Sequence, residues 1–419
     1  MTEMPTVSTS LYKNRLVRAI TISMIFLQIG IWVRNFAILL FVVEKTNNNP
    51  YAVSMISVIE FAPIFVFSFI GGTFADRWRP KLTMVCCDAL SAISVFGVLL
   101  AIMFGGWEAV FFVTLVSAIT SQFSQPSAMK LYKHHVPGEQ LQAGIAVFQT
   151  VMAIFTILGP LMGTFIYQKF GINVAIGIVG VAFLMSAVTL LSLPPDRKSK
   201  GKREQNFMLE LAAGFRYVWN RKVLALLGGV FLVAGSGLGI IVPLGVFLVT
   251  ERLGLPKESL QWLMATNGVA MLIGGGVVMG FARRFSPQKF LAVGLLVSSL
   301  TIVGMGLSTI LWVTLALQFI SGLFLPSIHV AINTLILQSA EEEFVGRVNG
   351  VLNPLFVGGM VTAMSVVGWL KTQLNLEIVY GISGLLFFTG VVLSIPIARA
   401  FSEQQQETKL VLENGELPD

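Results

Sequence analysis

Long apolar runs, each closed by a short polar break, repeat along the chain. Twelve can be read, at about 19–43, 51–74, 82–104, 108–130, 141–168, 173–193, 222–250, 259–282, 288–307, 311–337, 345–370 and 376–399. A helix rising 1.5 Å per residue needs roughly 20 such residues to cross the hydrocarbon of a bilayer. Barrel strands would instead alternate apolar and polar positions over roughly 10 residues, and these runs are continuous. Turn formers punctuate them: Asn47-Asn48-Asn49-Pro50, Gly105-Gly106, Pro137-Gly138, Pro194-Pro195 and Ser286-Pro287. The pattern predicts an all-α membrane protein of twelve transmembrane helices.

The longest polar break, 194–221, falls between the sixth and seventh runs. It opens on the basic stretch Arg197-Lys198-Ser199-Lys200-Gly201-Lys202-Arg203. From Met208 to Trp219 it then mixes apolar and polar residues at helical spacing, which predicts an interfacial helix. The organisation expected is an N-terminal segment 1–18, a six-helix bundle 19–193, the linker 194–221, a second six-helix bundle 222–400 and a polar, unstructured tail 401–419. The first run is too long for a cleavable signal and reads as a retained helix.

Composition agrees with lipid as the surrounding partner. Apolar residues make up 55% of the chain and charged residues 12%, too few charges for a water-facing surface of ordinary composition. The net charge of +7 is spread in short clusters between apolar runs, not gathered on one folded face, so no nucleic-acid partner is indicated. Placing the N-terminus inside puts 22 of the Lys and Arg residues in cytoplasmic segments and five outside, with Arg34 within a run. Basic loops stay on the cytoplasmic side, which predicts an inner-membrane, multi-pass protein with both termini cytoplasmic. Cys86 and Cys87 are adjacent in an apolar run and imply neither a disulfide framework nor a metal site. No metal or cofactor is expected.

The halves resemble each other. Ala75-Asp76-Arg77-Trp78-Arg79-Pro80-Lys81 follows the second run, and Ala282-Arg283-Arg284-Phe285-Ser286-Pro287-Gln288-Lys289 follows the eighth. Gln125-Pro126-Ser127 stands late in the fourth, and Leu325-Pro326-Ser327 late in the tenth. Repeats of this kind mark duplicated transporter bundles, related by an approximate twofold along the membrane normal.

The stretch Gly72-Thr73-Phe74-Ala75-Asp76-Arg77-Trp78-Arg79-Pro80-Lys81 resembles the signature loop of the major facilitator superfamily, Gly-x-Leu-Ala-Asp-Arg-x-Gly-Arg-Lys, and lies between the same two helices. Gly159-Pro160-Leu161-Met162-Gly163-Thr164 resembles part of the antiporter motif Gly-Pro-x-x-Gly-Gly, with Thr164 in place of the last glycine. Gly346-Arg347-Val348-Asn349-Gly350 resembles a segment of the macrolide-efflux and siderophore-exporter branches. The resemblance implies the major facilitator fold, alternating access, a gating loop formed by Gly72, Asp76, Arg77, Arg79 and Lys81, and a central cavity lined by helices one, four, seven and ten. Asp76 is then expected to meet the first turn of the eleventh helix, where a helix dipole favours an anion.

No phosphate-binding Gly-x-x-x-x-Gly-Lys-Ser/Thr loop occurs, so an ion gradient is the natural energy source. Charges inside spans are costly and are functional candidates by default. Here they are Arg34, Glu60 and Asp88. Arg34 and Glu60 are each nine residues from the outer ends of neighbouring antiparallel runs, hence about 13–14 Å deep. An ion pair there could be a fixed lock or a proton-coupling site. Asp88 could anchor the signature loop beside Arg77 and Arg79, or carry a proton. His329 is a core histidine or a proton carrier. Polar stripes of Ser117, Ser121, Ser124 and Gln125, and of Gln318, Gly322, Pro326, His329 and Asn333, recur at helical spacing and suit cavity lining or helix contact. Gln28 joins them as a cavity candidate.

These features favour a monomeric, proton-coupled exporter of hydrophobic, drug-like or natural-product molecules. Export of a siderophore or other metabolite, nutrient uptake, and a receptor or scaffold that has lost transport are the alternatives. A membrane enzyme is disfavoured, since no nucleophile–base or metal-ligand cluster stands out.

Overall fold

The computed structural model describes residues 15–68, 79–135, 138–193, 207–281 and 285–413. In chain order the helices are α1 (Arg15–Lys45), α2 (Pro50–Ser68), α3 (Pro80–Met103), α4 (Ala109–His135), α5 (Gly138–Leu191), α6 (Phe207–Asn220), α7 (Lys222–Phe247), α8 (Leu260–Phe281), α9 (Pro287–Leu307), α10 (Leu311–Ser339), α11 (Val345–Gln373) and α12 (Leu376–Glu413). There is no strand among the described residues. Among those residues, ten stretches are long and apolar enough to cross a membrane. The 54-residue α5 supplies one of them but carries two spans. Gly171, at φ 75° and ψ −179°, breaks it between the fifth and sixth apolar runs, a backbone setting open to glycine and strained for other residues. The fourth run forms α4, whose hydroxyl-rich face lowers its hydropathy.

Local sequence explains several ends. Asn47 and Asn48 take positive φ between α1 and α2, a conformation asparagine tolerates better than most side chains. α3 starts on Pro80 after an extended Arg79, with proline at a position whose amide needs no partner. α12 departs from the sequence reading. It continues as helix through 401–413, where an unstructured tail was expected. The glutamate, glutamine, lysine and leucine there are strong helix formers and extend a helix already nucleated by the span.

The chain divides into two compact units, Met1–Glu204 with Pro256–Gly268, and Gln205–Leu255 with Val269–Asp419. The division lies near the linker that the sequence marks, and the segment ahead of and within early α8 joins the first unit. There Lys257 Nζ lies 2.6 Å from Glu44 Oε2 and donates to the Leu40 carbonyl. The Tyr167 hydroxyl donates to the same carboxylate oxygen at 2.9 Å. In the second unit α6 docks on the junction of α10 and α11. The Tyr217 ring stacks on Phe344 with centroids 4.1 Å apart, and Arg221 pairs with Glu341 at 2.5 Å. Phe215 and Trp219 remain exposed, the amphipathic character expected of an interfacial helix.

Glycine allows close helix approach in both units. A methyl on Gly159 would overlap the Trp32 ring of α1, and one on Gly163 would stand 2.8 Å from Phe36 Cβ and the Trp32 carbonyl. The antiporter-like segment is thus the seam where α5 lies against α1. In the second unit a methyl on Gly235 or Gly239 would collide with the α11 backbone at Phe356 or Met360.

Candidate functional site

In the first unit α1 and α2 bring Arg34 and Glu60 together, with Asn35 between them. Arg34 is 4% exposed. Its Nε and Nη2 donate to Asn35 Oδ1 at 3.0 and 2.6 Å. Asn35 Nδ2 in turn donates to Glu60 Oε1 at 2.5 Å. The sequence suggested a direct ion pair. The structure links the two charges through a neutral amide, which accepts from one through its oxygen and donates to the other through its nitrogen. Arg34 Nη1 is buried with no hydrogen-bond partner among the described residues. Such a donor is expensive among apolar helices and is available to an acceptor group that enters the site.

The arrangement can respond to a proton. Burial and a nearby arginine act on a carboxylate in opposite directions. A shift of α1 against α2 that lengthens the relay therefore changes the affinity of Glu60 for a proton. Asn35 escaped the sequence reading because an uncharged residue beside Arg34 draws less attention than the charge. Its position in an otherwise apolar run was the available signal. Replacing Asn35 with leucine should leave Arg34 and Glu60 both short of a partner and cost about 1–3 kcal/mol. A fall in the unfolding midpoint of the purified protein, reduced when Glu60→Gln is also present, is the expected result. Equal losses in both backgrounds would mean that Asn35 does not join the two charges.

Asp88 stands in a different setting. It is 2% exposed on α3. Its Oδ2 accepts from Ser186 Oγ of α5 at 2.6 Å, and its Oδ1 from Ser124 Oγ of α4 at 3.4 Å. Ser23 of α1 extends the set through a 2.8 Å hydroxyl contact with Ser186. Arg79, a proposed partner in the sequence reading, is exposed at the start of α3. The α4 stripe lies on this side. Ser117, Ser121 and Ser124 border a cavity of about 10 Å³ together with Asp88. The structure does not describe the Gln125 side chain. Gln28 is buried on α1 and its amide donates to Met152 Sδ at 2.8 Å.

Of the signature loop, Gly72, Asp76 and Arg77 lie outside the described residues. Lys81 is described, and its ammonium group donates to the carbonyls of Leu191 and Leu193, tying the start of α3 to the end of α5. Gly159, Pro160 and Gly163 are all buried in the α1–α5 seam or directly beside it. In the second unit, Gln318 is half-buried on α10, while His329 and Asn333 are exposed.

The sequence matches the profile of the Major Facilitator Superfamily over residues 20–256 and 227–414. It is 24% identical to an uncharacterized MFS-type transporter, YkuC, of Bacillus subtilis (strain 168), over 95% of this chain and 98% of that protein. It is also 24% identical to macrolide efflux protein A of Streptococcus pyogenes, over 74% of this chain and 78% of the relative. Among solved structures, a mutant form of the peptide transporter POT superposes with a TM-score of 0.73 at 13% identity, over 92% of this chain and 94% of the other. That likeness concerns the fold alone.

Proposed function

The chain belongs to the Major Facilitator Superfamily and is a multi-pass membrane transporter of small molecules, not an enzyme; from that premise we propose that it exports hydrophobic, drug-like or natural-product molecules in exchange for protons. The observation that carries the reading is the partly buried chain Arg34–Asn35–Glu60, a titratable group held against a fixed charge by a breakable relay. The similarity to a macrolide efflux protein supports export and an oxygen-rich hydrophobic cargo. The unpartnered Arg34 Nη1 favours the same cargo, since it offers a hydrogen bond to a carbonyl or carboxylate.

In this reading Glu60 binds the proton and Arg34 sets its affinity through the α1–α2 spacing. Substrate and proton compete for the site, so each turnover exchanges one for the other across the membrane. The protein works as a monomer in the inner membrane, with both termini and the linker in the cytoplasm. Labelling a cysteine at position 200 tests that topology. In intact cells Lys200→Cys should stay unmodified by an impermeant thiol reagent and become reactive once the membrane is opened, with Cys86 and Cys87 replaced by serine as background. Modification from outside in intact cells would reverse the orientation.

The transport reading is tested in inverted membrane vesicles offered erythromycin and, separately, a lipophilic cationic dye. An acidic lumen should drive accumulation of at least one of them, and a protonophore should stop it. Accumulation indifferent to the protonophore would remove proton coupling. No accumulation of any probe, with the protein present and folded, would favour a receptor or scaffold.

A further inference from the structure

Asp88 has the surroundings of a site, and nothing in the coupling scheme uses it. Its carboxylate is buried within apolar helices. A bare negative charge there is strongly disfavoured unless something positive shares the space. Among the described residues no lysine, arginine or histidine forms an ion pair with it. What surrounds it is a set of neutral hydroxyls drawn from separate helices. Ser124 and Ser186 touch the carboxylate, and Ser23 backs Ser186. A hydroxyl is two-sided. It can donate to a carboxylate, as here, or turn its oxygen toward a cation.

The adjoining cavity sets the size of any positive charge that could pair with Asp88. It measures about 10 Å³ and is lined on one side by Asp88 and the hydroxyls of α3 and α4, and on the other by the apolar side chains of Leu27, Ile31 and Phe183. That volume is about one water-sized particle. The charge required is a single unit, because one carboxylate faces neutral groups. The donors are all hard oxygens, which suit alkali and alkaline-earth ions and not soft metals. A divalent ion would leave a net positive charge in the apolar interior, and of the monovalent alkali ions the smaller sodium makes the shorter and stronger contacts to carboxylate and hydroxyl oxygens.

We propose that the cage formed by Asp88, Ser124, Ser186 and the α4 hydroxyls Ser117 and Ser121 binds a sodium ion. The ion neutralises Asp88 and ties α3, α4 and the second half of α5 into one body, to which Ser23 of α1 is joined through Ser186. It also gives the α4 hydroxyl stripe a role inside the first unit. The proposal does not depend on Glu60 carrying the transported proton.

The test uses the purified full-length protein in lipid nanodiscs at fixed neutral pH. Its unfolding midpoint is followed while sodium chloride replaces choline chloride at constant ionic strength, with potassium chloride as a parallel series. Sodium should raise the midpoint saturably by a few degrees, and potassium and choline should not. Asp88→Asn keeps the shape, removes the charge and should abolish the response. Ser186→Ala and Ser124→Ala keep the carboxylate and should each raise the half-saturating sodium concentration severalfold. These two variants decide the matter if Asp88→Asn fails to fold. The absence of a sodium response in the parent protein would overturn the proposal. So would a response that persists in Asp88→Asn, or half-saturation unmoved in both serine variants. Stabilisation by acid with none by sodium would place a proton in the cage and refute the sodium site.

Discussion

Glu60→Gln is expected to abolish gradient-driven export and to leave substrate binding in place. Glutamine has the size of glutamate, and its amide oxygen can still accept the 2.5 Å hydrogen bond from Asn35, so the relay persists in shape. What disappears is titration. In inverted vesicles with an acidic lumen, the initial rate of accumulation should fall at least about tenfold, the change that 1.36 kcal/mol of barrier produces. Equilibrium binding should remain within a few-fold of the parent at neutral pH. In the parent, apparent affinity should fall as pH falls if proton and substrate compete as proposed. In Glu60→Gln that dependence flattens. Arg34→Ala gives a different defect, since it leaves a carboxylate without its counter-charge, and the double variant should not equal the sum of the two. Normal accumulation by Glu60→Gln against a pH gradient would move coupling to another group.

Gly159→Ala is expected to destabilise the first unit by about 1–3 kcal/mol, the usual cost of overfilling a packed interior. The added methyl would occupy space held by the indole of Trp32, and Gly163 one turn on meets α1 almost as closely. The ring cannot retreat cheaply, because Trp32 also stacks near Phe36 with centroids 6.1 Å apart. The unfolding midpoint of purified protein should drop by several degrees. In a Trp32→Leu background the same glycine substitution should cost much less, giving a coupling of about 0.5–3 kcal/mol. Additive losses would show that the seam does not depend on this contact. The antiporter-like residues are then best understood as a packing surface, and any effect of their substitution on transport runs through the fit of α1 against α5.

The fold was readable in the sequence because each span is decided locally. Continuous apolar runs demand helices in lipid, and breaks such as Asn47-Asn48-Asn49-Pro50 and Ser286-Pro287 mark their ends whatever the tertiary structure does. The break between the fifth and sixth runs was legible in the pattern, although the helix continues on either side of Gly171 and only that residue departs from helical geometry. The end of α12 was harder, since its polar composition suggested an unstructured tail while its individual residues favour helix.

The candidate site was only half legible. Charges in apolar runs stand out, so Arg34, Glu60 and Asp88 could be named. Their partners could not. Asn35 is a neighbour in sequence, but its bridging role depends on where α2 lies. Ser186 lies 98 residues beyond Asp88, and Ser23 lies 163 residues from Ser186; no periodicity along one helix reveals such contacts. The serine stripe on α4 was visible as a stripe. Sequence offered a cavity or a helix as its neighbour, and the structure sets its members around the carboxylate of α3.

The central claim, that substrate moves against protons, is tested most directly by running the exchange in reverse. Purified protein is reconstituted in liposomes containing a pH-sensitive dye, with no pH gradient imposed, and a concentration gradient of an accepted substrate is applied. Protons should move opposite in direction to the substrate, a movement stopped by Glu60→Gln and absent from protein-free liposomes. Substrate flux unaccompanied by proton movement in the parent protein, or proton movement in the same direction as the substrate, would contradict it.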